Sequence, residues 1–353
     1  DTYGTVFDYS GVCVSSAATL KQPYTVKLIK KYYNSITLEN EMKPDHILGS
    51  YPKLITIDEA KALGYVIPDN YTDPMVPQLN FDATDLAIQL CAENDLGFRA
   101  HTLVWHSQTP NWFFRENYTY EDAFTSPETM DARMEFYIRT VMSHVYNSDY
   151  GHCVYAWDVV NEYWNANDSN WIAIYGAKNH NPSFVKLAFE IADDVLKDFG
   201  IRDKVTLIFN DFNTYMNTTH LLSIVEFINS DGIVCDGFGM QAHLDTSFPS
   251  TDSFKRTLKS FLDTGLEVQI TELDVTCKND LSQSNYYYSL MSGILDLRKE
   301  GGKITGITYW GMGDDRSWRG NQKPLLFSMP GIAKPAYYKV IQAYLDAGYE
   351  IKK

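Results

Sequence analysis

What this chain lacks narrows its function first. No run approaches the roughly 18 apolar residues that a membrane span needs. Positive charge is scarce: 30 Lys and Arg stand against 45 Asp and Glu, for a net charge of -15. Such an acidic surface repels DNA, RNA and anionic lipid, so neither nucleic acid nor membrane is an expected partner. Cysteine is sparse, at Cys13, Cys91, Cys153, Cys235 and Cys277, and no C-x-x-C pair exists. Neither a zinc site nor a redox motif is indicated. The odd count leaves at least one thiol free or paired between chains, and most are expected to be small buried hydrophobes. Also missing are the G-x-S-x-G elbow of serine hydrolases, the P-loop and the H-E-x-x-H zinc motif. There is no internal repeat, no low-complexity linker and no signal-peptide pattern. The chain begins at Asp1 rather than Met, as expected of a processed or excised piece, for which a larger multi-module protein is one expected source. The triplets at Asn117, Asn167 and Asn217 fit N-glycosylation acceptors and matter only if the source glycosylates.

Aromatic residues, by contrast, are abundant: 14% of the chain, with 25 Tyr and 7 Trp. Exposed aromatic faces suit sugar rings, whose axial C–H groups present an apolar surface. A Tyr-rich core is the equal alternative on composition alone. With 353 residues, 44% apolar and 21% charged, the chain can bury a large core, and neutral polymers stay open as partners.

Eight short β-rich runs recur, at 11–15, 35–39, 98–105, 155–162, 206–211, 237–243, 267–274 and 306–311. Several are nearly continuous apolar stretches, the pattern of parallel strands covered on both faces. Helical periodicity follows at 20–33, 84–95, 133–146, 184–199, 221–229, 254–264, 286–300 and 334–347. Eight alternations without a change of composition predict one α/β domain over residues 1–353, a single (β/α)8 TIM barrel. A doubly wound sheet is the alternative, but no G-x-G-x-x-G follows the first strand. The segment 48–79, between strand two and its helix, is rich in Pro and Tyr and shows no sustained period. It predicts a long insertion looped over the catalytic face, or equally a tolerated surface excursion.

Barrel active sites lie at the C-terminal ends of the strands. Here those ends hold Glu39, Asn40 and Lys43; His101, Trp105 and Gln108; Asn161 and Glu162; Asn210 and Asp211; Gln241 and His243; Glu272 and Asp274; and Trp310. Glycoside hydrolysis needs two carboxyl groups flanking the scissile bond, one protonated and one ionised. Glu162 and Glu272 end strands four and seven, across the mouth from one another. A lone Glu at a strand end is more often a salt-bridged rim residue; two, each beside an amide or imidazole, favour chemistry. Asn161 is placed to hydrogen-bond the 2-hydroxyl of the sugar being cleaved. His243 and Asp274 can form a charged chain to Glu272, which favours its ionised form and makes it the nucleophile, leaving Glu162 as acid/base. Trp105, Trp310 and Trp318 are candidate stacking walls, the last two in a Gly-rich polar stretch unsuited to a core. His101 and His243 leave a metal as an alternative, with no third ligand converging; no metal and no cofactor are expected.

Taken together, these segments resemble glycoside hydrolase family 10. The resemblance rests on Ile36–Lys43, His101–Gln108, Trp157–Glu162, Asn210–Asn213, Gly239–His243, Ile270–Asp274 and Trp310–Arg319, in the family's order and over nearly the whole chain. It implies a retaining endo-β-1,4-xylanase acting on xylan and xylo-oligosaccharides, as an extracellular monomer. Glu39, Asn40, Lys43, His101, Trp105 and Gln108 would line the glycone subsites, with Gln241 and His243 beside the carboxylates and Trp310 and Trp318 over the glycone sugars. Three departures stand out. The segment after strand two is longer than usual, Phe212 replaces a common Tyr, and Tyr163-Trp164 are bulkier than the usual residues after the acid/base Glu. A β-glucanase or mannanase on the same barrel is the nearest rival; a non-catalytic xylan-binding barrel would lack one of the two carboxylates.

Overall fold

The computed structural model describes residues 6–166 and 168–351; the acceptor triplet at Asn167 therefore falls partly outside the described residues. Its centre is a barrel of eight parallel strands: β1 Tyr9–Val14, β2 Ser35–Leu38, β3 Gly97–Trp105, β4 Val154–Asn161, β5 Thr206–Asp211, β6 Gly237–Met240, β7 Glu267–Thr276 and β8 Ile304–Tyr309. Each pairs with the next, and β8 pairs back onto β1 through the register Gly11 to Thr308, closing the sheet. Closure leaves no barrel edge unpaired. β4 shows why the runs read as apolar: all eight of its residues are buried.

Helices α1 Pro23–Tyr32, α2 Asp82–Glu93, α3 Pro127–Asn147, α4 Ser183–Asp198, α5 Thr218–Ile228, α6 Thr251–Leu262, α7 Asp280–Lys299 and α8 Pro335–Asp346 form the outer ring. α3 and α7 start about two turns earlier than the apolar periodicity indicates. Their opening turns are polar and are fixed by caps instead. Ser126 accepts the amide of Thr129 with Pro127 at the first position, and Asn279 accepts the amide of Ser282.

Two expectations are corrected. The run 237–243 is not one strand: β6 stops at Met240, Ala242 takes a left-handed φ of 63°, and His243–Asp245 forms a separate strand on the end of β7. Segment 48–79 is the long insertion expected after strand two, but it is not irregular. It holds an antiparallel pair, Leu54–Thr56 with Met75–Pro77, and a short helix, Ile57–Ala62, started by a Thr56/Glu59 capping box. It packs along α3. Arg133 is bidentate on Asp73 at 2.8 Å, and the Val66 amide donates to Thr140 Oγ1 at 3.1 Å. All five cysteines are unpaired, four of them buried and Cys277 half-buried. Among the described residues, no helix is long and apolar enough to cross a membrane.

Candidate active site

A cleft of about 550 Å³ opens at the C-terminal ends of the strands, lined by fifteen residues. Every expected catalytic and subsite residue lies in it: Glu39, Asn40, Lys43, His101, Trp105, Gln108, Asn161, Glu162, Phe212, Gln241, His243, Glu272, Trp310 and Trp318. Asn213 is the additional one. Asp274 sits behind the wall, fully buried.

Glu272 is fixed from three sides. His243 Nε2 lies 2.8 Å from its Oε2, and His101 Nε2 lies 3.5 Å from its Oε1. Asn210 Nδ2 donates to Oε1 at 3.3 Å. Burial pushes this carboxyl up, but the His101 and His243 imidazoles together outweigh burial and hold it below the usual carboxylate range. Each imidazole is backed by a buried Asp. His243 Nδ1 is 2.9 Å from Asp274 Oδ1, which also takes Arg319 Nη1 at 2.8 Å. His101 Nδ1 is 2.7 Å from Asp158 Oδ2, and Asp158 takes a two-pronged contact from Arg99, 1% exposed. Burial alone would lower His243; Asp274 and Glu272 reverse this and raise it to about 10, so it is an imidazolium at neutral pH. The expected His243–Asp274 chain is present, and the Arg99–Asp158–His101 arm extends it through the barrel interior.

Glu162 is held by neutral groups. Trp105 Nε1 donates to one carboxylate oxygen and Gln241 Nε2 to the other, both at 2.9 Å. His106 Nε2 is 3.7 Å away; burial lowers its pKa in spite of Glu162, so it is neutral at pH 7. Glu162 leaves β4 with φ 59°, the left-handed region, and its amide donates to Asn210 O at 2.8 Å. Asn161 Oδ1 accepts from Asn210 and Gln241, both at 3.0 Å, which leaves its Nδ2 for a ligand.

Asn210 joins both carboxylate strands and is the residue that sequence reasoning placed at a strand end without giving it a role. It fits because β6 has Gly239 opposite: a Cβ there would lie 2.2 Å from Asn210 Oδ1. On the flank of the cleft, Lys43 Nζ donates to Asn40 Oδ1 at 3.0 Å and Gln108 Oε1 at 3.1 Å, and lies 4.8 Å above the Trp105 ring. Trp310 meets His101 edge-on at 5.5 Å. Trp318 donates Nε1–H to Asp274 Oδ2 at 2.9 Å and keeps 59% of its surface exposed. Indole walls, amides and two opposed carboxyl groups suit a polyhydroxylated chain.

The chain is similar to several known proteins. The chain is 48% identical over 347 residues to endo-1,4-beta-xylanase A of Butyrivibrio fibrisolvens, covering 98% of this chain and 84% of that protein. It is 32% identical to endo-1,4-beta-xylanase A of Thermotoga maritima, covering 94% of this chain but only 29% of that longer protein. Among solved structures it resembles the CBM22-1–GH10 modules of Clostridium thermocellum endo-1,4-beta-D-xylanase 10B complexed with xylohexaose, with a TM-score of 0.77, 28% identity and coverage of 94% and 65% of the two chains. An intracellular xylanase of Thermoanaerobacterium saccharolyticum gives the same TM-score, 0.77, at 26% identity, with 96% and 98% covered. The family model described as glycosyl hydrolase family 10 matches residues 1–343, and the chain belongs to that family.

Proposed function

We propose that this chain is an endo-β-1,4-xylanase that cleaves internal bonds of xylan by double displacement with retention of configuration. The observation that carries the reading is the unequal environment of the two carboxyl groups: Glu272 between two imidazoles, Glu162 among neutral donors. Glu162 delivers its proton to the glycosidic oxygen as that bond breaks, and Glu272 attacks the anomeric carbon to give a covalent glycosyl-enzyme. Glu162, now a carboxylate, takes a proton from water. The water oxygen displaces Glu272, and a second inversion restores the β configuration. The free Nδ2 of Asn161 is placed to meet the 2-hydroxyl as charge develops.

One chain supplies all fifteen lining residues, so a monomer suffices. Action outside the cell belongs to the same reading, because xylan is too large to enter one; cell fractionation tests it. The main test combines two assays. Reducing-sugar release should be strong on xylan and weak on β-glucan and mannan, and early proton NMR should show the β-anomer first. An initial α-anomer refutes retention, and equal release from glucan refutes the substrate.

A further inference from the structure

A second cavity, of about 990 Å³, lies beyond Trp318, which borders both it and the catalytic cleft. Its wall is the segment 314–323 that follows β8 and carries Trp318. Its floor is a closed ion pair. Lys334 Nζ donates to Asp314 Oδ2 at 2.9 Å and to the carbonyls of Lys323 and Leu325, both at 2.8 Å, while Asp314 Oδ1 accepts the Leu325 amide at 2.8 Å. With all three ammonium donors used, the floor is preformed. The rim differs. Asp280, Asn321, Gln322 and Lys323 are exposed, and none of their side chains makes a hydrogen bond within the described residues.

Three features define the ligand chemistry. The lining sets Asp280, Asp314 and Asp315 against Arg319, Lys323 and Lys334, so its formal charge sums to zero and favours neither anion nor cation. The uncommitted rim groups include donors and acceptors, which suits hydroxyl groups. The Trp318 ring, pinned by its bond to Asp274, offers an apolar plane beside them. A plane ringed by mixed hydrogen-bonding groups matches a sugar ring. Because the same indole borders the cleft, an occupant can be attached to a chain bound there, and tethering raises its effective concentration.

We propose that this cavity is a branch subsite, taking a neutral pentosyl substituent of a xylan chain whose backbone lies in the catalytic cleft. The proposal rests on the xylanase reading. Its test compares kcat/KM on a linear xylo-oligosaccharide with that on the same backbone carrying one arabinofuranosyl or one glucuronosyl branch. Two hydrogen bonds at about fivefold each predict roughly a 25-fold preference for the arabinofuranosyl substrate. The double variant Asn321→Ala/Gln322→Ala should erase that preference and leave linear turnover unchanged; Asn321→Trp, which fills the cavity, should reverse it. No preference in the wild type, or a preference that survives both variants, overturns the branch subsite. A stronger preference for the glucuronosyl branch overturns its neutral character. Failure of the xylanase reading is distinct, since the linear substrate would then not be cleaved.

Discussion

Replacing His243 by Asn tests what ionises the nucleophile. The change removes the imidazolium that bridges Glu272 Oε2 at 2.8 Å and Asp274 Oδ1 at 2.9 Å. An opposite charge this close depresses a carboxylate by about 1–3 units. Burial already pushes Glu272 up and is outweighed only by the two imidazoles together. With one gone, its pKa should rise. Glu272 must be ionised to attack, so activity is lost as pH falls through its folded pKa. The acid limb of kcat/KM should therefore move up by about 1–3 pH units, measured with an aryl xylobioside across pH 4–9. That limb reports the coupled network rather than one group. Stability should shift in a matching way. Glu272, depressed in the fold, contributes stability present above its unfolded value and lost as pH falls through the folded one. His243, raised to about 10, contributes stability present below its unfolded value of about 6.5 and lost as pH rises through 10. The variant should lose this His contribution at neutral pH and with it the decline toward pH 10. An acid limb that stays put in a folded variant, checked by Tm, would refute the electrostatic account.

Glu272→Ala should abolish turnover, and added azide should restore part of it as an α-glycosyl azide, identified by NMR; full residual activity in clean protein would remove Glu272 from its role. Glu162→Gln should lose the basic limb on aryl xylosides with good leaving groups, which need no acid; an unchanged limb points to another acid. Gln108→Ala and Trp318→Ala should each lower the xylobioside-to-cellobioside ratio of kcat/KM, because a wall against C5 rejects the hydroxymethyl group of glucose by about 10–200-fold per site. Parallel loss on both substrates would mean that these residues only bind.

The barrel was legible because its strands are buried on both faces. A run such as Val154–Asn161 is apolar almost throughout, and no solvent-facing alternation blurs it. What periodicity missed has a common physical cause. The first turns of α3 and α7 are mostly polar in sequence, so caps rather than apolar spacing mark where they start. The break after Met240 depends on the left-handed backbone at Ala242, to which an apolar pattern is blind. The insertion at 48–79 hid its helix in the Thr56/Glu59 pair, a signal that is visible in the sequence but carries little weight without an apolar stripe. Its docking on α3, through Asp73 and Arg133, joins residues 60 apart that no local pattern links.

The site was legible to a different depth. The strand-end rule finds the layer that touches substrate, because it depends only on where a strand stops. The layer beneath depends on how far each strand is staggered against the next. Hence Arg99 and Asp158, deep inside apolar runs, gave no sign that they back His101, nor Asn210 that it bridges the two carboxylate strands. That deeper layer divides the roles. From Arg99 through Asp158, His101, Glu272, His243 and Asp274 to Arg319, each buried carboxylate lies between basic groups. Protonating Glu272 would leave His101 and His243 with only their outer partners, Asp158 and Asp274, and would break the middle link of this buried chain. Nothing comparable surrounds Glu162. Its partners Trp105 and Gln241 are neutral N–H donors, so gaining or losing a proton there leaves no buried cation without a partner. A carboxyl that must pick up and release a proton in each turnover belongs at that end of the site, and one that must stay an anion belongs in the chain of charges.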